Sequence, residues 1–257
     1  MSHSATKPVF TGVAVALVTF FDEHGHIDTV ATAKHAAHLA GRGVRAIVVA
    51  GTTGEASHLS LKERLQLFDA VRAAVPNDLP VIIGTGNLSA GVSVPKLTTM
   101  AAAHKASAAL VLSPTRGDVR EFYGEVVHAA GTMPVLAYHY PAVAEPGITM
   151  EELKALKVAG IKDSTGDAER MLDMASWYRG WIYTGSSAMV FVSAQIGCTG
   201  AILAAANLEP ELCAEAWAGN VRAQKDLVHA HKIVAHEGVK GIKQELARKF
   251  QTSTACR

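Results

Sequence analysis

Lys162 follows the apolar run Val158-Ala159-Gly160-Ile161 and precedes the turn Asp163-Ser164-Thr165-Gly166-Asp167. A lysine amine with an unperturbed pKa near ~10.4 is protonated at neutral pH and cannot attack a carbonyl. At the end of a strand in an apolar interior, desolvation lowers that pKa and frees the lone pair for imine formation. A plainer reading also fits: a solvated strand-end charge, or an ion pair with Asp163. Position alone favours the plainer one, because strongly perturbed lysines are the minority.

Two further strand ends carry candidate chemistry. Gly51-Thr52-Thr53-Gly54-Glu55 places two hydroxyls and several backbone N–H groups in a glycine-bounded turn, where they could converge on a carboxylate. An ordinary strand-to-helix turn explains the same string equally well. It is not a P-loop, since GxxxxGK[ST] is absent. In Tyr138-His139-Tyr140-Pro141 the two tyrosines share a strand face unless Pro141 re-aims the second. A phenol there could shuttle the protons that imine formation requires, or be a packing residue with a satisfied hydroxyl. Gly84-Thr85-Gly86 and Gly197-Cys198-Thr199-Gly200 do not complete a dinucleotide fingerprint and read as backbone turns.

These strand ends need a scaffold that gathers them. Short β-branched runs at 13–18, 45–50, 81–84, 108–113, 134–138, 159–162, 181–184 and 199–203 alternate with helical patterns such as 33–40, 61–71 and 94–103. Ser60 with Glu63 has the form of a capping box. Eight such strands predict an α/β fold, a (β/α)8 TIM barrel with its site at the strand C-termini. A closed barrel leaves no exposed edge strand. Helical patterns at 211–218, 221–231 and 239–250, separated by Gly219-Asn220 and Glu237-Gly238, predict a C-terminal helical extension. The expected organisation is a catalytic barrel over 1–207 and a helical segment over 208–257.

The 257 residues suit one such barrel, which takes ~250 residues. With 49% hydrophobic and 18% charged residues the chain can bury a large core. Its 24 basic and 23 acidic side chains nearly cancel, which argues against nucleic acid or a membrane surface as partner. No apolar run reaches spanning length, and Met1-Ser2-His3-Ser4 lacks a leader pattern, so a cytoplasmic location is expected. Cys198, Cys213 and Cys256 are too scattered for a disulfide framework or metal site and read as buried or idle thiols. His35 and His38 share a helical face without a carboxylate partner, so no metal is expected there.

Taken in chain order, these motifs resemble the dihydrodipicolinate synthase and N-acetylneuraminate lyase family of pyruvate-dependent class I lyases. The resemblance runs from Phe10-Thr11-Gly12 to about Asn207. It implies that Lys162, in Gly160-Ile161-Lys162-Asp163-Ser164, is the imine-forming nucleophile. It gives the Gly51 to Glu55 loop the pyruvate carboxylate, with Thr53 binding it and Thr52 in a hydroxyl relay. Tyr138 takes the place of the tyrosine in the family's YNxP motif, the proton shuttle. Gly185 and Ile202 fall at positions lining pyruvate. The implied reaction joins a 2-oxo acid to an aldehyde, or cleaves the product, with no metal and no organic cofactor. The implied assembly is a homo-oligomer, a tetramer or a dimer.

Two departures bear on the aldehyde. The family's synthases carry a tyrosine pair after strand four, whereas this chain has Ser113-Pro114-Thr115-Arg116-Gly117-Asp118. They also place an arginine after the YNxP tyrosine, where this chain has Val143, which offers no cationic fork to a carboxylate. The expected acceptor is therefore not aspartate semialdehyde but another aldehyde, sugar-derived or with a charge met by Arg116. The helical segment also reads as truncated relative to the family, which weakens the case for a tetramer. Three alternatives stay open: an authentic 4-hydroxy-tetrahydrodipicolinate synthase, a catalytically weak barrel that binds 2-oxo acids as sensor or scaffold, and a pyridoxal phosphate enzyme using the same lysine.

Overall fold

Eight parallel strands close into a barrel in sequence order, each hydrogen-bonded to the next and β8 to β1. They are β1 (Gly12–Ala16), β2 (Ala46–Val49), β3 (Val81–Gly84), β4 (Ala108–Leu112), β5 (Val135–His139), β6 (Gly160–Asp163), β7 (Trp181–Thr184) and β8 (Gly200–Leu203). The computed structural model describes residues 7–86 and 93–257. Met1 to Ser4, on which the reading of the N-terminus rests, lie outside the described residues.

Strand alternation divides the core into two layers. Ala14, Ala16, Ala46, Val48, Leu110, Leu136, Tyr138 and Ile202 belong to the cluster inside the barrel. Their neighbours Val13, Val15, Ile47, Val49, Val111, Val135 and Ala137 belong to the cluster between barrel and helices. Strands buried on both faces read as near-continuous apolar runs, as observed here.

The surrounding helices are α1 (Thr29–Ala40), α2 (Leu61–Ala74), α3 (Val94–Ala103), α4 (Val119–Ala130), α5 (Met150–Ala155), α6 (Ala168–Trp177) and α7 (Val190–Gln195). Ser60 and Glu63 form the expected capping box of α2, and Thr149 and Glu152 form another at α5. His35 is buried within hydrogen-bonding distance of Asn207 and edge-on to Phe20, a packing role. Cys198 and Cys213 are buried, whereas Cys256 is exposed.

The C-terminal helices are α8 (Pro210–Trp217), α9 (Val221–Asp226), α10 (Val228–Lys232) and α11 (Gly238–Phe250), with a π-helical turn at Ile233–Glu237. The single helix expected over 221–231 divides at Leu227. The break expected at Glu237-Gly238 is made by Gly238, whose φ of +60° turns the chain. No helix among the described residues is long and apolar enough to cross a membrane.

Asn207 ties the last barrel turn to the first strand. Its Nδ2 donates to Ala16 O at 2.7 Å and Ala204 O at 2.9 Å, and its Oδ1 accepts from Val18 N at 3.2 Å. Removing a buried amide that satisfies three backbone groups strands all of them. Asn207→Ala is expected to lower unfolding free energy by ~2–4 kcal/mol in urea titration; a loss below ~0.5 kcal/mol would show that this tie is dispensable.

Candidate active site

Lys162 stands in register with Tyr138 on β5 and Tyr183 on β7, and both tyrosines belong to the inner cluster. Its side chain shares their face and points into the barrel. The residue is 5% exposed, and its Nζ lies 4.3 Å from the centre of the Tyr138 ring. Among the described residues no hydrogen bond or ion pair reaches that nitrogen. Burial lowers its pKa from 10.5 to about 7.

The plainer reading of Lys162 does not survive the geometry. Asp163, one residue on, points to the opposite face, where its Oδ2 accepts from Arg170 Nε at 2.7 Å. Its Oδ1 accepts from Thr165 N at 2.9 Å and Thr165 Oγ1 at 2.5 Å. On that outer side His139 accepts from Ile148 N at 2.8 Å through Nδ1. Burial, with Arg170 nearby, lowers the His139 pKa to about 4, so the ring is neutral.

Lys162 opens onto a cavity of about 420 Å³ that is also lined by Thr52, Thr53, Tyr138, Val143 and Gly185. These are six of the nine residues singled out in the sequence. The Tyr138 hydroxyl hydrogen-bonds with Ser164 and Thr52. Burial raises the Tyr138 pKa, and those two hydroxyls partly offset it. Tyr123, buried in α4, donates its hydroxyl to Val111 O at 2.7 Å and accepts from Tyr138 N at 3.3 Å, fixing the strand behind the phenol.

Three expected residues lie elsewhere. Gly51 lines a smaller adjoining cavity, together with Thr52, Tyr138 and Val143. Ile202 is wholly buried inside the barrel, below the mouth, and Ala204 and Ala205 line the cavity instead. The residue contributed by this strand end thus comes from just past β8. Arg116 is exposed in the loop before α4 and is absent from the lining, because the chain turns outward at Gly117 with φ +86°.

Ser164, Tyr140 and His231 line the cavity without having been singled out. Ser164 and Tyr140 are two residues beyond Lys162 and Tyr138, so strand alternation could have flagged both. The Tyr138 and Tyr140 rings stack at 5.9 Å, so Pro141 does not re-aim the second. Among the described residues no group of three or more His, Cys, Asp or Glu is placed to hold a metal ion.

The carboxylate-turn candidate is held from behind. Glu55, at φ +57°, is buried and accepts from Lys243 Nζ at 2.5 Å and from Arg257 N at 2.8 Å. Lys243, fully buried on α11, also donates to Ala255 O at 2.6 Å and lies over the Phe21 ring. Glu55 N donates to Thr52 O at 3.0 Å, so this ion pair anchors the turn carrying Thr52 and Thr53.

A closed parallel barrel with a desolvated lysine at its mouth defines the class as (β/α)8 enzymes of the imine-forming type. Comparison with known proteins names the family. Residues 9–248 match the dihydrodipicolinate synthetase family. A 4-hydroxy-tetrahydrodipicolinate synthase of Synechococcus sp. (strain CC9902) is 31% identical over 219 residues, 81% of this chain and 72% of that one. Its counterpart in Corynebacterium diphtheriae is 33% identical over 219 residues, 81% and 71% of the two chains. The structure of the chloride-inhibited dihydrodipicolinate synthase from Acinetobacter baumannii, complexed with pyruvate, superposes with a TM-score of 0.87 at 25% identity. The match covers 96% of this chain and 91% of that one. Ruminococcus gnavus sialic acid aldolase shares the fold, with a TM-score of 0.86 at 20% identity over 97% and 90% of the chains. The chain belongs to the dihydrodipicolinate synthetase family and is, with it, a lyase of the class I aldolase type.

Two substitutions test the geometry. A Cβ at Gly185 would lie 1.9 Å from Ser164 Oγ and 2.9 Å from Lys162 Cε. Gly185→Ala is expected to lower kcat/KM at least ~100-fold with the circular dichroism spectrum unchanged, and retention of activity within twofold would disprove the crowding. Lys243→Met leaves Glu55 buried without its cation and should cost ~3–5 kcal/mol. Adding Glu55→Gln to it should recover part of that loss in the denaturation midpoint, and no recovery would count against the ion pair as anchor.

Proposed function

We propose that Lys162 forms a Schiff base with pyruvate or a related 2-oxo acid, and that the protein then makes or cleaves a carbon–carbon bond to an aldehyde. The observation that carries this is a wholly buried amine without a counter-charge among the described residues, with its pKa brought to about 7, beside a phenol that two hydroxyls hydrogen-bond. The pyruvate held by the Acinetobacter baumannii relative supports a 2-oxo acid as first substrate.

In this reading the neutral Lys162 amine adds to the keto carbon and gives a carbinolamine. Tyr138, relaying through Thr52 and Ser164, takes a proton from the nitrogen and delivers one to the departing hydroxyl, which leaves as water. Thr53 and the backbone N–H groups of its turn take the substrate carboxylate. The resulting iminium withdraws electrons from the adjacent methyl group, and loss of a methyl proton yields an enamine. That carbon attacks the aldehyde carbon, whose oxygen takes up a proton. Water then hydrolyses the iminium and restores the amine.

A second reading, 4-hydroxy-tetrahydrodipicolinate synthase itself, draws support from the names of the relatives at 31% and 33% identity. Val143 in the cavity lining speaks against it, since an aliphatic side chain cannot pair with the carboxylate of aspartate semialdehyde. Steady-state assays with that semialdehyde decide between the two.

Borohydride reduction in the presence of pyruvate, followed by peptide mass analysis, is expected to place a stable adduct on Lys162. The trapping rate should rise with pH and reach half its maximum near about 7, because only the free amine attacks and the ammonium form predominates below that value. Tyr138→Phe should slow trapping ~100-fold. No adduct on Lys162 with any 2-oxo acid rejects the proposal, and a visible absorbance band from the purified protein would point to pyridoxal phosphate instead.

A further inference from the structure

The barrel supplies only one side of the cavity. The other comes from the C-terminal helices, where His231 of α10 lines it beside Val234, Val239 and Ile242. His231 Nδ1 lies 3.0 Å from Ser187 Oγ, in the turn after β7. Gln224 of α9 holds the same turn, donating from Nε2 to Ser187 O at 3.0 Å and accepting from Phe191 N at 2.8 Å through Oε1. The imidazole is therefore oriented from a fixed support, and its Nε2 has no protein partner among the described residues.

Among the described residues the lining contains no aspartate, glutamate or arginine, and Lys162 and His231 are its only basic side chains. Lys162 is consumed by the 2-oxo acid in the reading proposed above, on which this inference rests. The surface left for the second substrate is an apolar wall and a small polar group of Thr165, Ser186, Ser187 and His231. A charged acceptor would find no bidentate counter-ion there. A neutral imidazole nitrogen, by contrast, accepts from or donates to a hydroxyl. We infer that His231, held by Ser187, is a specificity-determining residue that selects as acceptor an uncharged aldehyde bearing a hydroxyl group.

The test measures kcat and KM for pyruvate with glyceraldehyde, with propanal and with aspartate semialdehyde, alongside borohydride trapping of each protein. Glyceraldehyde is expected to exceed propanal by at least ~10-fold in kcat/KM, since a site built to pair a hydroxyl rejects the analogue lacking it. In His231→Leu that preference should shrink to within ~2-fold through a higher KM for glyceraldehyde, while the pyruvyl adduct on Lys162 still forms. His231→Gln, which keeps a hydrogen-bonding group, should restore part of it. Ser187→Ala, which frees the ring without removing it, should raise the KM for glyceraldehyde with kcat little changed, and serves if the leucine variant does not fold. An unaltered preference in trappable His231→Leu or Ser187→Ala overturns the inference, as does a wild-type kcat/KM higher for the semialdehyde than for glyceraldehyde. Absence of the adduct in the wild-type protein overturns the Schiff-base reading first, and this one with it.

Discussion

The structure turns on keeping one amine out of water without giving it a counter-charge. Lys162 is buried where its neighbours are aromatic rings and hydroxyls, and its one adjacent carboxylate, Asp163, faces the other way and is spent on Arg170. A carboxylate on the inner face would favour the ammonium and return the pKa toward its ordinary value. The period of two along β6 therefore separates nucleophile from acid. This arrangement couples folding to proton binding. The amine's pKa falls from 10.5 in the unfolded chain to about 7, so the unfolded chain holds more protons between those values. The Lys162 contribution to stability is full above that window and is lost progressively as pH falls through it.

A desolvated amine needs neighbours that are equally fixed. Gly185 leaves room for Ser164 and the lysine stem, Tyr123 holds the backbone of Tyr138, and Glu55 braces the turn with Thr52 and Thr53. Each support comes from a different strand end or helix, and barrel closure brings them to one mouth. This is preorganisation in the sense that matters for imine chemistry, because proton transfers between phenol, hydroxyls and departing water depend on groups already within hydrogen-bonding reach.

The barrel was legible in the sequence because strands buried on both faces write themselves as apolar runs, and their alternation with amphipathic segments admits few topologies. Lys162, Tyr138, Thr52, Thr53, Val143 and Gly185 were legible for a related reason: each lies at or just past the end of such a run, and a barrel gathers its strand ends at one mouth. Ile202 failed because the short step from β8 to Ala204 separates a side chain in the interior from one at the mouth, finer than periodicity resolves. Arg116 failed because its charge suggested a role while the turn at Gly117 set its direction. His231, Val234 and Ile242 left no local trace of function. Their place in the cavity depends on how α10 and α11 dock against the barrel, which is a long-range property. Lys243 on α11 likewise reads as one more surface charge of an amphipathic helix until Glu55 is seen opposite it.

The wall formed by α10, the π-helical turn and α11 is built from a stretch of chain separate from the strands that carry the amine. Val234, Val239 and Ile242 meet the cavity by packing alone, and among the described residues no hydrogen bond joins their side chains to the phenol and hydroxyls across from them. Changes of size or polarity on that wall reshape the volume offered to a second reactant while leaving the environment that sets the amine's basicity intact. The fold thereby divides its labour along the chain: a barrel that holds one step of the chemistry constant, and a helical tail on which selection can explore new acceptors.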